Sequence, residues 1–271
     1  DRVSAFDCVL GTIPFKGQIL SDIAKFWFDK TSDIVPNHFI KSVDPQVLLV
    51  QEAKPLPVEV IVRRYITGSL WRDYQASKHH VYDLPFKDDL KMNEKFDMPI
   101  LTPSTKEDYG KHDEPISKKE ILNRKLVSKE IYEQAEEYAL KLFQRGEEWA
   151  DKQGLILVDT KYEFGLVGDQ LIVIDEIHTP DSSRYWIKNE YEERFNKGAS
   201  QLMLDKENIR QWLISKGFSG EGTPPELDDE IRILLSEKYI ELYKILTNKE
   251  FEPSVGDVSD RIAKNLDSLD I

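Results

Sequence analysis

Cysteine is almost absent: Cys8 is the only one in 271 residues. A disulfide within the chain and a cysteine-based zinc cage are both excluded, and the usage fits a reducing cytosol. Cys8 lies in an apolar run, which reads as a small buried thiol rather than a nucleophile. No apolar stretch approaches the ~18 residues of a membrane span, and no signal peptide is visible. The expectation is a cytoplasmic protein with no membrane partner. Positive charge is also in deficit, with 37 Lys and Arg against 50 Asp and Glu and a formal net charge of −13. Nucleic acid is therefore not an expected partner, because phosphate contacts need a basic face. The five histidines form no H-E-x-x-H, and G-x-S-x-G and GxxxxGK[ST] are missing. The one G-x-G, Gly220-Glu221-Gly222, follows a helical pattern rather than a strand, so no dinucleotide fingerprint is present.

Three stretches carry the chemistry: LPVEVIVRRYITGSLW (56–71), LILVDTKYEFG (155–165) and IVIDEIHTPDSSRYW (172–186). Each sets ionisable residues into a β-branched, apolar run. Such a run reads as a buried strand. A buried strand carrying Glu59, Arg63, Asp159, Lys161, Glu163, Asp175 and Glu176 needs partners, metal or ligand for those charges. Arginines with alternating carboxylates suggest a site for phosphates and a divalent cation.

With 40% hydrophobic and 32% charged residues, a substantial core is expected in one large domain or two packed lobes. The pattern predicts a strand over 3–10, a helix over 19–30 and strands at 47–50 and 58–62. A short helix follows over 69–76, with Ser69 as its cap. Residues 77–115 read as one long loop. Helices follow at 117–125 and 128–152, then a strand pair at 155–159 and 171–177 turning at 165–168. Asp205 is expected to cap a helix ending at Lys216. A last helix carries a stripe of Leu227, Ile231, Leu234, Ile240, Tyr243 and Leu246. The final 25 residues are weakly patterned. The sum is α+β, with a lobe boundary near 50–56.

If the strand continues, Lys161 and Glu163 point to one face. Asp175, on the neighbouring strand, then converges with Glu163 on one cation. Hard oxygen donors and few histidines favour Mg²⁺ over zinc. Alternation alone is what any half-buried strand shows, so an ordinary polar edge is the bland alternative. The Pro180-Asp181-Ser182-Ser183 turn followed by Arg184 suits a phosphate, and equally a plain exposed turn. Thr67-Gly68-Ser69 after Arg63 and Arg64 suits an anion at a helix N-terminus, or simply a capped helix.

These segments, with DRVSAFD at the start and TPSTK…HDE between them, resemble the SAICAR synthetase family of purine biosynthesis. PVEVIVRRYITGS and LVDTKYEFG look like the family's two signature patterns, and the resemblance covers nearly the whole chain. The long stand-alone form seen in yeast is the more similar. The resemblance implies an α+β fold of two lobes around an ATP cleft. An N-terminal antiparallel lobe over 1–53 would hold part of the ATP-binding sheet, and a larger mixed lobe would follow over 54–271. The family's Gly-Lys strand and turn before DRxSA is expected ahead of Asp1, so the first strands of that sheet are outside this sequence. The implied reaction ligates L-aspartate to carboxyaminoimidazole ribonucleotide (CAIR) through an acyl phosphate, with ATP as co-substrate and Mg²⁺ as cofactor.

By the same resemblance, Glu163 and Asp175 are the Mg²⁺–ATP ligands, Lys161 contacts phosphate and Glu52 belongs to the ATP site. Lys161, Asp175 and Asp181 are implied as catalytic, and Asp181, His112 and solvent all stay open as acceptors of the amine proton. Arg63, Ser69 and Arg184 hold the ribonucleotide phosphate. Ser104, Lys106, His112 and Asp113 close over the imidazole carboxylate, and Asp1 and Arg2 lie near the substrates. A monomer or homodimer is expected. A small-molecule kinase with a related ATP cleft is the rival enzyme, and a non-catalytic nucleotide-binding module is the rival of another class.

Overall fold

The computed structural model describes residues 1–6, 8–106, 113–204 and 207–269. The chain opens on a hairpin of β1 (Arg2–Ala5) and β2 (Cys8–Thr12). The expected single strand over 3–10 is thus two: Phe6 takes φ 51° and the chain doubles back, setting Ser4 opposite Val9 and Ala5 opposite Cys8. No glycine marks that reversal, so the apolar run hides it. Helix α1 (Lys16–Thr31) follows, then the hairpin β3 (Phe39–Asp44) and β4 (Val47–Val50).

A six-stranded antiparallel sheet forms the centre. Its path runs β10-β8-β5-β6, with β7 also on β5 and β9 on β8. Strand β5 (Lys54–Tyr65) takes in Pro55 and Pro57 at a register irregularity against its neighbour. Helix α2 (Gly68–Gln75) leaves it. The expected loop over 77–115 instead holds a 3-10 turn (His79–Tyr82), β6 (Lys95–Leu101) and β7 (Ser104–Thr105). Both strands form by pairing with β5, Leu101 opposite Val62 and Ser104 opposite Glu59, which no local period reports. Pro99 is tolerated because β6 closes the path at its edge.

Helices α3 (Lys118–Asn123) and α4 (Lys129–Lys152) begin on Ser117 and Ser128, whose hydroxyls accept from Glu120 N and Ile131 N. Strands β8 (Leu155–Val167) and β9 (Gln170–Ile174) make the predicted hairpin, and β10 (Ser183–Ile187) pairs back on β8. Then come α5 (Tyr191–Asn196), α6 (Glu207–Ser215), α7 (Asp229–Thr247) and α8 (Val258–Asp267). The proposed cap Asp205 lies outside the described residues. Asp228 caps α7, accepting from Ile231 N.

Val58, Val60 and Val62 on β5, with Tyr162 and Phe164 on β8, turn one sheet face towards α4 and α1 in the main core. The β1–β2 hairpin packs with α6 and the start of α7 in a second cluster. The expected stripe of α7 holds at Ile231, Tyr243 and Leu246, with Leu227 buried just before the helix, and is joined by further positions because α7 serves both clusters. Leu235 and Tyr239 are buried, while Leu234 is exposed. The weakly patterned tail forms α8, clipped by Arg261 and Asn265 to the buried Asp44 of β3. Among the described residues no helix is long and apolar enough to cross a membrane.

Candidate active site

The second face of the central sheet carries the charges. Alternation puts Glu59 and Arg63 of β5 on it, beside Asp159, Lys161 and Glu163 of β8. Register sets Arg63 opposite Asp159, Ile61 opposite Lys161 and Glu59 opposite Glu163. Two carboxylates directly opposite would repel. Lys161 resolves this by donating to Glu59 Oε1 at 2.9 Å and to Glu163 Oε1. Its ammonium also lies 3.7 Å from Asp175 Oδ2. Burial works to lower the Lys161 pKa, but Glu59, Asp175 and Glu176 together outweigh it and hold the group above its ordinary value.

Glu163 is enclosed further by Lys106, which bonds its other oxygen, and Ser104 donates to Glu59 Oε2 at 3.1 Å. Asp175 stands just past β9 with φ 63°, a left-handed conformation that aspartate tolerates, and is 48% exposed at the side chain. Ile174, not Asp175, stands opposite Glu163, so strict alternation would turn Asp175 to the core face; the left-handed turn at Asp175 brings it to the ammonium that Glu163 also meets. Among the described residues no three Asp, Glu, His or Cys side chains form a metal cage.

The other half of the face holds anions' partners. Arg63 Nη1 reaches Asp159 Oδ2 at 2.9 Å, and Arg184 Nη1 bonds the same oxygen. Arg63 is fixed further by Thr102 Oγ1 at 2.7 Å and Ser69 Oγ at 3.2 Å. Ser69 is therefore no cap; Thr67 occupies that position, with no side-chain hydrogen bond. Gly68 takes φ 57°, and a Cβ there would overlap the Arg184 guanidinium. A cleft of about 210 Å³ is lined by Arg63, Asp159, Lys161, Asp181, Arg184 and Arg210, among others.

The turn before β10 rests on its own hydroxyls. Thr179 Oγ1 donates to Glu176 Oε2 at 2.8 Å and accepts from Asp181 N at 3.2 Å. Burial, then Asp181 and Asp175, push the Glu176 carboxyl up to about 7. Asp1 Oδ1 accepts from Gly17 N at 2.9 Å and Gln46 Nε2 at 2.8 Å. Arg2, Glu52 and Asp113 are exposed and do not line the cleft. His112 lies outside the described residues. Sequence reasoning marked Glu59 and Asp159 as charges needing partners without placing them in the site, and their cross-strand register was the signal that could have done so. Lys16, Thr102, Arg210 and Tyr239 were missed, because only tertiary packing brings them in.

A family model described as SAICAR synthetase matches residues 1–225. A phosphoribosylaminoimidazole-succinocarboxamide synthase of Azobacteroides pseudotrichonymphae is 49% identical over 272 residues, covering 99% of this chain and 84% of that protein. The enzyme of the same name from Cytophaga hutchinsonii is 49% identical over 270 residues, with 98% and 87% covered. The SAICAR synthase of Saccharomyces cerevisiae, solved in complex with SAICAR, superposes with a TM-score of 0.81 at 34% identity, covering 93% of this chain and 88% of that one. A SAICAR synthetase solved in complex with ADP gives 0.69 at 26% identity, covering 93% and 90%.

Proposed function

This chain belongs to the SAICAR synthetase family, and from that premise we infer that its cleft joins L-aspartate to CAIR, with ATP giving ADP and phosphate, in purine biosynthesis. One observation supports the site most strongly. On a single sheet face, the Arg63–Asp159–Arg184 group adjoins the Lys161 group of Glu59, Glu163 and Asp175. An anion-holding half and a cation-holding half meet along β8. A triphosphate beside a sugar phosphate needs that pairing.

A carboxylate does not accept an amine at neutral pH, because oxide would have to leave. In this reading a CAIR carboxylate oxygen attacks the γ-phosphorus, the bond to the β-phosphate oxygen breaks and ADP departs. The aspartate amine then attacks the acyl carbon, loses a proton, and phosphate leaves as the C–O bond breaks. Lys161 offsets charge on the transferring phosphoryl group. Arg63, Ser69 and Arg184 hold the ribonucleotide phosphate and so aim its carboxylate. Ser104, Lys106, His112 and Asp113 belong to the segment closing over the imidazole, Asp1 and Arg2 to the substrate side, and Glu52 to the ATP side. The two lobes divide at residues 53 and 54.

Glu163 and Asp175 are the residues that would hold Mg²⁺, since this ion is usually bound through one or two carboxylates together with substrate phosphates. When bound, it neutralises triphosphate charge.

Coupled measurement of ADP release tests the whole reading. Release should require CAIR and aspartate together. A stable phosphorylated product formed from CAIR without aspartate would replace the ligase by a kinase.

A further inference from the structure

Helix α7 lies beyond residue 225, where the family match stops. Its residues 232, 236 and 239 share one face. Arg232 Nε donates to Thr12 O at 2.9 Å and Ser236 Oγ to Pro14 O at 2.9 Å. Tyr239 OH donates to Asp181 Oδ1 at 2.8 Å. The other oxygen of Asp181 accepts from Lys16 Nζ at 2.7 Å. Lys16 opens α1, and its ammonium lies 5.8 Å from the centre of the Tyr239 ring. Lys16 is 4% exposed and Tyr239 1%. One carboxylate in the cleft wall thus ties the turn before β10 to the start of α1 and the middle of α7.

A proton acceptor must give up its charge for part of each turnover. Protonating Asp181 would take from the buried Lys16 ammonium the carboxylate it is bonded to, leaving Glu176 as a further carboxyl that acts on it, a costly change. The carboxylate is held still from both sides. Thr179, Ser182 and Ser183 extend the hold, since Thr179 N donates to Ser182 Oγ at 3.1 Å and Ser183 Oγ pairs with Thr160 Oγ1 at 2.8 Å. Arg184 follows directly.

We propose that Asp181 is a positioning residue, locked by Lys16 and Tyr239, that fixes the turn carrying Ser182, Ser183 and Arg184 against the bound ribonucleotide. It does not take the proton of the aspartate amine. The inference rests on the ligation reading above. It also gives α7 a part in the site: the helix grips residues 12–16 and Asp181 at once.

The test uses the full chain and steady-state ADP release with CAIR, aspartate and Mg²⁺–ATP. Asp181→Asn should lower kcat/KM for CAIR sharply, because an amide faces the Lys16 ammonium with its donor side or offers only a neutral acceptor. Adding Lys16→Gln restores a neutral amide–amide pair, and the double variant should recover at least tenfold of the loss. The acid limb of the kcat–pH profile should be unchanged in both. A folded double variant as inactive as Asp181→Asn, or loss of that limb, would overturn the proposal. Tyr239→Phe removes one oxygen and keeps the packing. It should raise KM for CAIR about tenfold while kcat stays within about threefold, as expected for one charge-assisted bond. An unchanged KM in this variant is equally fatal. If the unmodified chain makes no SAICAR in the same assay, the ligation reading fails instead.

Discussion

Arg63 and Arg184 converge on one oxygen of Asp159, Arg63 Nη1 at 2.9 Å and Arg184 Nη1 beside it. Two guanidinium groups that would otherwise repel are held at one edge of the cleft, aimed by a carboxylate between them. Asp159→Asn removes that counter-charge while keeping the shape. Breaking a buried pair costs roughly 3–5 kcal/mol, so the variant should lose about that much unfolding free energy at pH 7 and unfold at a lower urea concentration. KM for CAIR should rise more than KM for aspartate. Urea titration and initial rates check both, and a stability within 1 kcal/mol of the parent (about one unit of RT ln 5) would show that the shared oxygen matters little.

Lys161 meets Glu59, Glu163 and Asp175 at once. Lys161→Met keeps the stem and deletes the charge. The carboxylates then face one another in a half-buried site, and on the proposed function the phosphoryl group loses one ammonium. Turnover should fall at least about a hundredfold, the scale of losing one electrostatic contact to a reacting group. Stopped-flow or steady-state rates at saturating ATP decide it. A fall of less than tenfold removes Lys161 from the chemistry.

Most of this sheet face was legible in the chain. The period of two in PVEVIVRR and LVDTKYEF fixed which side chains share a face, and the shared run of Val and Ile fixed which face is core. The cross-strand partners were not legible, because register follows from where the 155–174 hairpin and β5 meet, not from either segment. β6 and β7 were invisible for the same reason: they are strands only because β5 offers an edge. Lys16 and Tyr239 stand 223 residues apart in number and meet on Asp181 through α1–α7 packing, which no spacing rule encodes.

Gly68 and Arg184 make a second, smaller test of the anion half. The glycine combines φ 57° with direct contact to the guanidinium, so alanine meets both backbone strain and overlap. Gly68→Ala should push Arg184 off Asp159 and raise KM for CAIR about tenfold or more, with kcat less affected. The global cost should be about 1–3 kcal/mol. Calorimetry with CAIR alone checks the binding part. Equal weakening of ATP binding would contradict a local effect.

His178 gives the fold a pH signature. Its ring is fully buried, its Nε2 pairs with Tyr162 OH at 2.5 Å, and Gly146 of α4 makes room for it. Burial pushes the imidazole down to about 3 from 6.5. Between those values the unfolded chain binds the extra proton, so stability on this account is complete above about pH 6.5 and falls as the pH drops towards 3. At about 1.4 kcal/mol for each pH unit, the loss between pH 7 and pH 5 is about 2 kcal/mol. Glu176 pulls the opposite way in part of this window, because its carboxyl, raised by burial and by Asp181 and Asp175 to about 7, binds a proton more readily when folded. A comparison with His178→Gln cancels that contribution. Urea midpoints at pH 7 and pH 5 should show the parent losing about 2 kcal/mol more than the variant across the interval. Parallel losses would mean that the buried imidazole does not set the acid limit of the fold.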